Sequence, residues 1–368
     1  MKKESTFMTI HPGIVLKQEL NARGISNKEF ASTLSMPAPV LSDLINGKRS
    51  ITPDIAILLE ATLGRDAAYW LSLQSNRDIE VAKKKEEFKR KQQDIESWKD
   101  IQNYCNVHIL EKTLSGGLGK NIHEKIDNVY EFFEVKDNIE LRDKFLKDIA
   151  PSYFRKSTMS YDPVNMFTWK YLAFAASDKA DAPIGIFKRN NLDKIVARIN
   201  GILFCNKNTC ENLKQALEEN GIKFVILPNQ QGTHIDGFSF WRGKWPTITL
   251  TLRGQKLDIL AFTLLHEIYH VFNHLCENNQ EKTCISIDGD KNSLEEKEAD
   301  AFAIDHLIPP RDWQLFMAIN AGISPYMIRP KLLEFSKRHG IHPSIVLGRY
   351  QHDYNVFDNG RGIERSIN

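Results

Sequence analysis

The sequence is poor in cysteine, with five in 368 residues, an odd and sparse count. Disulfide-stapled secreted scaffolds carry dense, even sets, so that class is excluded and a reducing compartment is expected. An excess of charge of one sign is also missing: 49 Lys and Arg against 47 Asp and Glu leave a formal net charge of +2. No global pull towards nucleic acid or a membrane follows, although a local one stays open. No apolar run approaches the roughly 18–20 residues of a membrane span. The stretch from Met1 to Ile10 has lysines without an apolar run behind them, so it does not read as a signal peptide. A soluble, cytoplasmic protein with no membrane partner is expected. What the chain does have is 42% hydrophobic and 10% aromatic residues, enough for a large core. Its length suits about two domains at roughly 100–200 residues each. Disorder, collagen and coiled coil are excluded as descriptions of the whole.

The first 76 residues are punctuated like a compact helical bundle. Pro12-Gly13 opens a helix whose apolar side is Val15, Leu16 and Leu20, and Gly24 closes it. Ser26 with Glu29 three residues later is a capping box, so a second helix follows at once and turns Phe30, Ala31 and Leu34 inward. A third runs from Pro37 to Asn46 and stops at Gly47, which tolerates positive φ. Thr52-Pro53-Asp54 offers an N-cap, a first-position proline and a first-turn acid for a fourth helix ending at Gly64; a fifth begins at Asp66. Five short helices with tight joints predict a helix-turn-helix bundle in which the second and third helices form the reading pair. Asn27 and Lys28 would meet a phosphate at the start of the second helix, and Lys48 and Arg49 would clamp the backbone after the third. Ala38, Val40, Ser42 and Asp43 would face base edges. Pro37, Ala38, Pro39 and Val40 offer no bidentate hydrogen bonds, and Asp43 repels phosphate unless it accepts from a cytosine amine.

Many fixed spacings between His11 and Asn76 resemble the HigA family of antitoxins, a branch of the lambda-repressor-like DNA-binding domains. They include His11-Pro-Gly, Gly24-Ile-Ser, Ile45-Asn-Gly-Lys-Arg49, Ile51-Thr-Pro and Trp70-Leu. The resemblance implies an antitoxin and transcriptional regulator that binds operator DNA and takes a HigB-like toxin as partner, and a homodimer is the expectation for a reader of a palindrome.

Residues 77–150 read as a charged helical connector. Arg77 to Asp100 is free of Gly and Pro, with positives and negatives interspersed, which favours a solvated helix over a nucleic-acid arm. Gly116-Gly117 marks a break, and helical spacing resumes through Ile126, Val129, Phe132 and Phe133. Trp169 to Ala176 reads as a buried helix, and no catalytic pattern occurs between 77 and 200. Cys205 and Cys210 have no partners at zinc-finger spacing.

Chemistry enters further on. Ile222 to Leu227 reads as a buried strand and Pro246 to Leu252 as an alternating one. Asp258 opens a long apolar helix that contains His266-Glu267-Ile-Tyr-His270. Histidines at i and i+4 stand on one helix face a turn apart, which lets two imidazoles grip one zinc ion. The Glu beside the first histidine is then placed to take a proton from water. A third ligand is needed. His274 lies eight residues from His266, about 12 Å along a helix, too far for three rings to converge. Downstream, Ser293 and Glu296 form a capping box, so Glu296, Glu298 and Asp300 ride on a new helix that Pro309-Pro310 ends. Glu296 and Asp300 share a face: one would bind zinc while the other orients a ligand histidine, with Glu298 in reserve. Tyr269, His306 and His342 are candidates for steadying an oxyanion, and the strand Thr247–Leu252 for pairing with an extended substrate.

Thr263-Leu-Leu-His-Glu-Ile-Tyr-His270 and Glu296-Lys-Glu-Ala-Asp-Ala-Phe-Ala303, followed by Leu307-Ile-Pro309, resemble the ImmA/IrrE family of metallo-endopeptidases. That resemblance implies one zinc ion on His266, His270 and Glu296, with Glu267 as general base, which leaves Asp300 as the carboxylate that orients a ligand histidine. Tyr269 stands where the family has a small residue, and its bulk would narrow the cleft. The fold expected is mainly α with a small β-sheet (α+β). A lambda-repressor-like five-helix bundle (1–76) and the connector (77–150) lead to a zincin-like metallopeptidase domain (151–310) and a C-terminal helical extension (311–368). The function expected is a HigA-like antitoxin that also carries a zinc-dependent endopeptidase acting on a protein substrate. The alternatives are a regulatory metalloprotease that cleaves a repressor, and a sensor version of the fold without turnover.

Overall fold

The computed structural model describes residues 10–153, 162–230, 232–287, 293–324, 327–354 and 362–368, with 149–153, 253 and 287 by their backbone alone. Residues 1–9, on which the signal-peptide reading rests, lie outside the described residues. The chain forms two compact units, Met1–Trp98 and Lys99–Asn368. Among the described residues no helix is long and apolar enough to cross a membrane. Among the described residues the architecture is mainly helical with one small mixed sheet, the α+β class expected.

The first unit contains α1 (Pro12–Ala22), α2 (Asn27–Thr33), α3 (Ala38–Ile45), α4 (Pro53–Leu63) and α5 (Ala67–Lys83). The next helix, α6 (Glu86–Ile101), contains the division between units. The core of the first unit is Leu16, Leu20, Phe30, Leu41, Leu59 and Trp70, each at most 2% exposed. Ser26 caps α2 by accepting from the Glu29 N–H at 3.2 Å, as its spacing predicts. Thr52 occupies the N-cap of α4 but its hydroxyl makes no capping bond, so there the proline and the acid carry the start alone. His11 caps α1 instead of a Ser, Thr or Asp, its Nδ1 accepting from the Gly13 N–H at 2.9 Å. Gly13 is required by contact: a Cβ there would lie 2.2 Å from the Leu44 carbonyl oxygen and 2.6 Å from that of Ile45. That close approach seats the start of α1 on the end of α3.

The second unit begins with α7 (Val107–Thr113), α8 (Ile122–Phe133), α9 (Asn138–Tyr153), α10 (Pro163–Lys179), α11 (Leu192–Cys205) and α12 (Thr209–Glu218). Four strands follow: β1 (Lys223–Leu227), β2 (Ile235–Arg242), β3 (Trp245–Thr251) and, after helix α13 (Leu257–Tyr269), β4 (Thr283–Ile287). The remaining helices are α14 (Leu294–Leu307), α15 (Pro310–Ile319), α16 (Arg329–His339) and α17 (Pro343–Tyr354). Strand order is β1-β3-β2-β4, with β1 parallel to β3 and the other two pairs antiparallel.

Two strands escape the sequence reading, β2 and β4. In β2 both faces are buried, so apolar and polar residues do not alternate. Phe238 and Phe240 face α10, where Trp169 and Phe174 pack edge-on against them. Gly237 and Ser239 point to the other side, against α13. A bulge between Ile235 and Gly237 in the pairing with β4 lies at the start of that stretch. The turn Gly243-Lys244, with Gly243 at φ 60°, is the signal that a two-residue hairpin joins β2 to β3. One expectation is overturned here: β3 lies between β1 and β2, so both its edges are paired and it cannot add a substrate strand.

Candidate functional site

The α13 helix is almost wholly buried because it is sandwiched between the sheet and α14, and its polar residues therefore need partners. His266, His270 and Glu296 are 4%, 0% and 7% exposed. Each offers one ligand atom, and these atoms all lie within 4.8 Å of one another. His266 Nε2 is 2.9 Å from His270 Nε2 and 3.1 Å from Glu296 Oε2. His270 Nε2 is 3.4 Å from Glu296 Oε1. Ligands about 2.1 Å from a tetrahedral ion stand about 3.4 Å apart, so these spacings come near a metal site and require only slight opening. Two nitrogens and one carboxylate form a donor set suited to zinc, and far less to calcium or magnesium, which prefer all-oxygen shells.

Capping and ligation do not compete at Glu296. Ser293 Oγ accepts from the Glu296 backbone N–H at 3.1 Å, which leaves the carboxylate free to turn inward. Burial disfavours its charged form, but the hydrogen bonds and charges of His266 and His270 outweigh that and hold the carboxyl down to about 2. Burial likewise works against the His266 cation, while Asp300 and Glu296 together push its pKa up to about 10. The two shifts describe one ion pair. Asp300 Oδ1 lies 2.9 Å from His266 Nδ1, so the carboxylate holds the ring with Nε2 turned to the centre.

Glu298 takes no place in the set, which closes the reserve option. Its Oε2 is 3.2 Å from His274 Nε2, and His274 Nδ1 is 2.7 Å from His270 Nδ1. His274 therefore stands behind His270, outside the group of three. Burial holds its pKa down.

Glu267 is fully buried and turned to the sheet. Ser239 of β2 donates to its Oε2, and Ser286 of β4 donates to its Oε1 at 2.5 Å. Burial raises its pKa, against the lowering pull of His270 and His266 and the two hydroxyls. Gly237 gives it room: a Cβ there would lie 2.2 Å from Oε1. Ser239, Ser286 and Gly237 are the residues that sequence reading missed, since they belong to the two strands it did not find. Tyr269 packs its ring on Phe302 and edge-on to His274. His306 bonds the Phe302 carbonyl within its own helix, and His342 bonds Ser344 at the start of α17. These side chains are engaged away from the three ligand atoms.

In the first unit, α2 and α3 stand in succession. Asn27, Lys28, Ala38, Ser42, Lys48 and Arg49 are exposed, while Val40 and Asp43 are half-buried. The Asp43 backbone carbonyl accepts from the N–H groups of Lys48 and Arg49 at 2.8 and 3.2 Å. That bond pattern holds the two cations in the turn directly after α3.

Residues 16–70 match the family of helix-turn-helix domains. The chain is 39% identical over 70 residues to virulence-associated protein A′ of Dichelobacter nodosus, covering 19% of this chain and 61% of that protein. It spans about three fifths of the length of that relative. It is 32% identical over 73 residues to the uncharacterized HTH-type transcriptional regulator YddM of Escherichia coli, covering 20% of this chain and 78% of the other. A solved structure of the Pseudomonas aeruginosa antitoxin HigA with the higBA promoter is 34% identical and is similar over 20% of this chain and 83% of that one, with a TM-score of 0.20.

Proposed function

We propose that this chain, which belongs through its residues 16–70 to the helix-turn-helix family of DNA-binding regulators, is a HigA-like antitoxin and operator-binding regulator whose second unit is a zinc-dependent endopeptidase of ImmA/IrrE type. Residues 16–70 place it as a regulator; the antitoxin role, the HigB-like toxin partner and the homodimer rest on the motif spacing around them. Lys48 and Arg49 neutralise phosphates, and α3 enters the major groove with Ala38, Val40, Ser42 and Asp43 towards the bases. The near absence of bidentate side chains there means that phosphate contacts and groove shape carry most of the affinity.

The convergence of His266, His270 and Glu296 on one point supports the enzymatic half more than any other observation. A zinc ion held there supplies Lewis acidity to a peptide carbonyl and acidity to water. His266 and His270 would hold it through Nε2, and Asp300 keeps the His266 ring in that orientation. Glu267 accepts a proton from water on a carboxylate oxygen and hands it to the leaving amine. Ser239 and Ser286 fix where that carboxylate sits. Purified protein is expected to hold about one zinc per chain, and Glu267→Gln to keep the metal while losing cleavage. Less than a tenth of an equivalent, with no rebinding of added zinc, would remove the catalytic reading.

One observation favours a second reading. Glu267 is 0% exposed with both oxygens engaged by serines, and a zinc site that turns over substrate needs an open position. A metal-holding sensor without turnover fits that closed arrangement. The two readings part in the cell: a Glu267→Gln variant that keeps every regulatory activity favours the sensor. Operator binding is tested by a gel shift on the promoter of the chain's own gene, where no shift at low salt would sink it.

A further inference from the structure

The ring of His270 is engaged at both nitrogens. Nε2 faces His266 and Glu296, and Nδ1 faces Nδ1 of His274 at 2.7 Å. His274 in turn presents Nε2 to Glu298 Oε2 at 3.2 Å. The backbone here departs from α-helical form: His270–His274 is a π turn, closed by the Leu275 N–H donating to the His270 carbonyl at 3.0 Å. Such turns are rare and concentrate at functional sites.

Proton counting decides what this row of groups does. Two imidazole nitrogens within hydrogen-bond distance share one proton between them. If His270 gives its Nε2 lone pair to a cation, its proton sits on Nδ1 and is donated to Nδ1 of His274. The His274 proton then sits on Nε2 and is donated to the Glu298 carboxylate. Under that condition no other assignment with both rings neutral gives each contact one donor and one acceptor. We propose that His274 and Glu298 are positioning residues that lock His270 as an Nε2 donor to the metal, the relayed counterpart of Asp300 behind His266. The inference rests on the reading of His266, His270 and Glu296 as a metal centre. It assigns to His274 a role distinct from ligation. His274 carries most of the effect, because its side chain is 8% exposed while that of Glu298 is 44% exposed and screened by solvent.

The test is zinc affinity of the full chain, measured by chelator competition with zinc alone at one pH. His274→Phe keeps a ring against Tyr269 but removes the acceptor, and is expected to bind zinc about 10–100-fold more weakly. His274→Gln places an amide oxygen opposite His270 and an amide N–H opposite Glu298, and is expected to recover most of that loss. Glu298→Ala is expected to cost only a few-fold. His274→Phe binding as tightly as the unaltered chain overturns the proposal and leaves the metal centre standing. Equal weakening by Phe and Gln also overturns it, since packing alone would then explain the loss. An unaltered chain that binds no zinc overturns the metal centre and the relay with it. If His274→Phe does not fold, nitrogen NMR of the unaltered zinc-loaded chain decides: Nδ1–H on His270 and Nε2–H on His274 support the relay, and the reverse pattern refutes it.

Discussion

Replacing Gly237 by alanine tests whether the buried Glu267 is held as tightly as its surroundings imply. The glycine sits in β2 with no positive φ, so the substitution adds a methyl group without backbone strain. That methyl would lie 2.2 Å from Glu267 Oε1 and 2.7 Å from both Cδ and Cγ. Ordinary contact between such atoms is about 3.5–4.0 Å, so the carboxylate must retreat by more than about 1 Å. It has nowhere to go: it is fully buried and its oxygens are bonded to Ser239 and Ser286. Overpacking costs about 1–3 kcal/mol, and losing one hydrogen bond to a charged group about 1.5–3 kcal/mol. A total of about 2.5–6 kcal/mol follows, which lowers the melting temperature of a unit this size by roughly 5–20 °C. The control is Gly201→Ala in α11, where a Cβ meets nothing within 4 Å and the change is expected to be neutral or stabilising. Thermal unfolding followed by circular dichroism and tryptophan fluorescence reads both. A Gly237→Ala chain melting within about a degree of the unaltered one would refute the clamp and, with it, the fixed placement of Glu267.

In the first unit, Gly13→Ala drives a methyl into the Leu44 and Ile45 carbonyls, and backbone cannot yield as a side-chain end does. A loss of about 1–3 kcal/mol is expected, read by urea unfolding, and an unchanged midpoint would show that α1 does not need that approach. Lys48→Ala and Arg49→Ala should each weaken DNA binding evenly across sequences and lower the salt slope by about one; an unchanged slope would place both outside the interface. His266→Ala should abolish stoichiometric zinc uptake, whereas full retention would move the metal elsewhere. Asp353 gives a pH prediction. Burial opposes its charged form, but bonds from Trp313, His352 and Arg349 hold its carboxyl below the ordinary range. A depressed carboxyl stabilises the fold above its unfolded value, near 4, and loses that contribution as pH falls through the folded value. Stability should therefore decline below about pH 4 with a slope that Asp353→Asn reduces; equal slopes would count against the account.

How much was legible depended on how local the rule was. The Ser26 cap, the glycine stops and the apolar faces of α1 to α4 follow from rules that act within one or two turns. His266 and His270 were legible for the same reason, being one turn apart. The third member was not, because Glu296, Glu298 and Asp300 lie so close together that spacing alone leaves all three open, and the resemblance to a peptidase family had to choose. In the structure each takes a different partner: Glu296 the Nε2 atoms, Asp300 the back of His266, and Glu298 the back of His274 through its outer nitrogen. The β2 strand was hidden because burial on both faces erases the alternation by which a strand is recognised.

By itself the sequence determined a helical reader module and a histidine pair set one turn apart on an apolar helix, since capping, helical period and turn chemistry are properties of neighbouring residues. Tertiary structure decided the rest. It put β3 in the middle of the sheet and closed it to a substrate strand, set Ser239, Ser286 and Gly237 around Glu267, and carried Glu296 across 26 residues to His270. These outcomes depend on which buried polar groups find partners once two helices and a sheet pack together, and no local rule specifies such pairings between segments far apart in the chain.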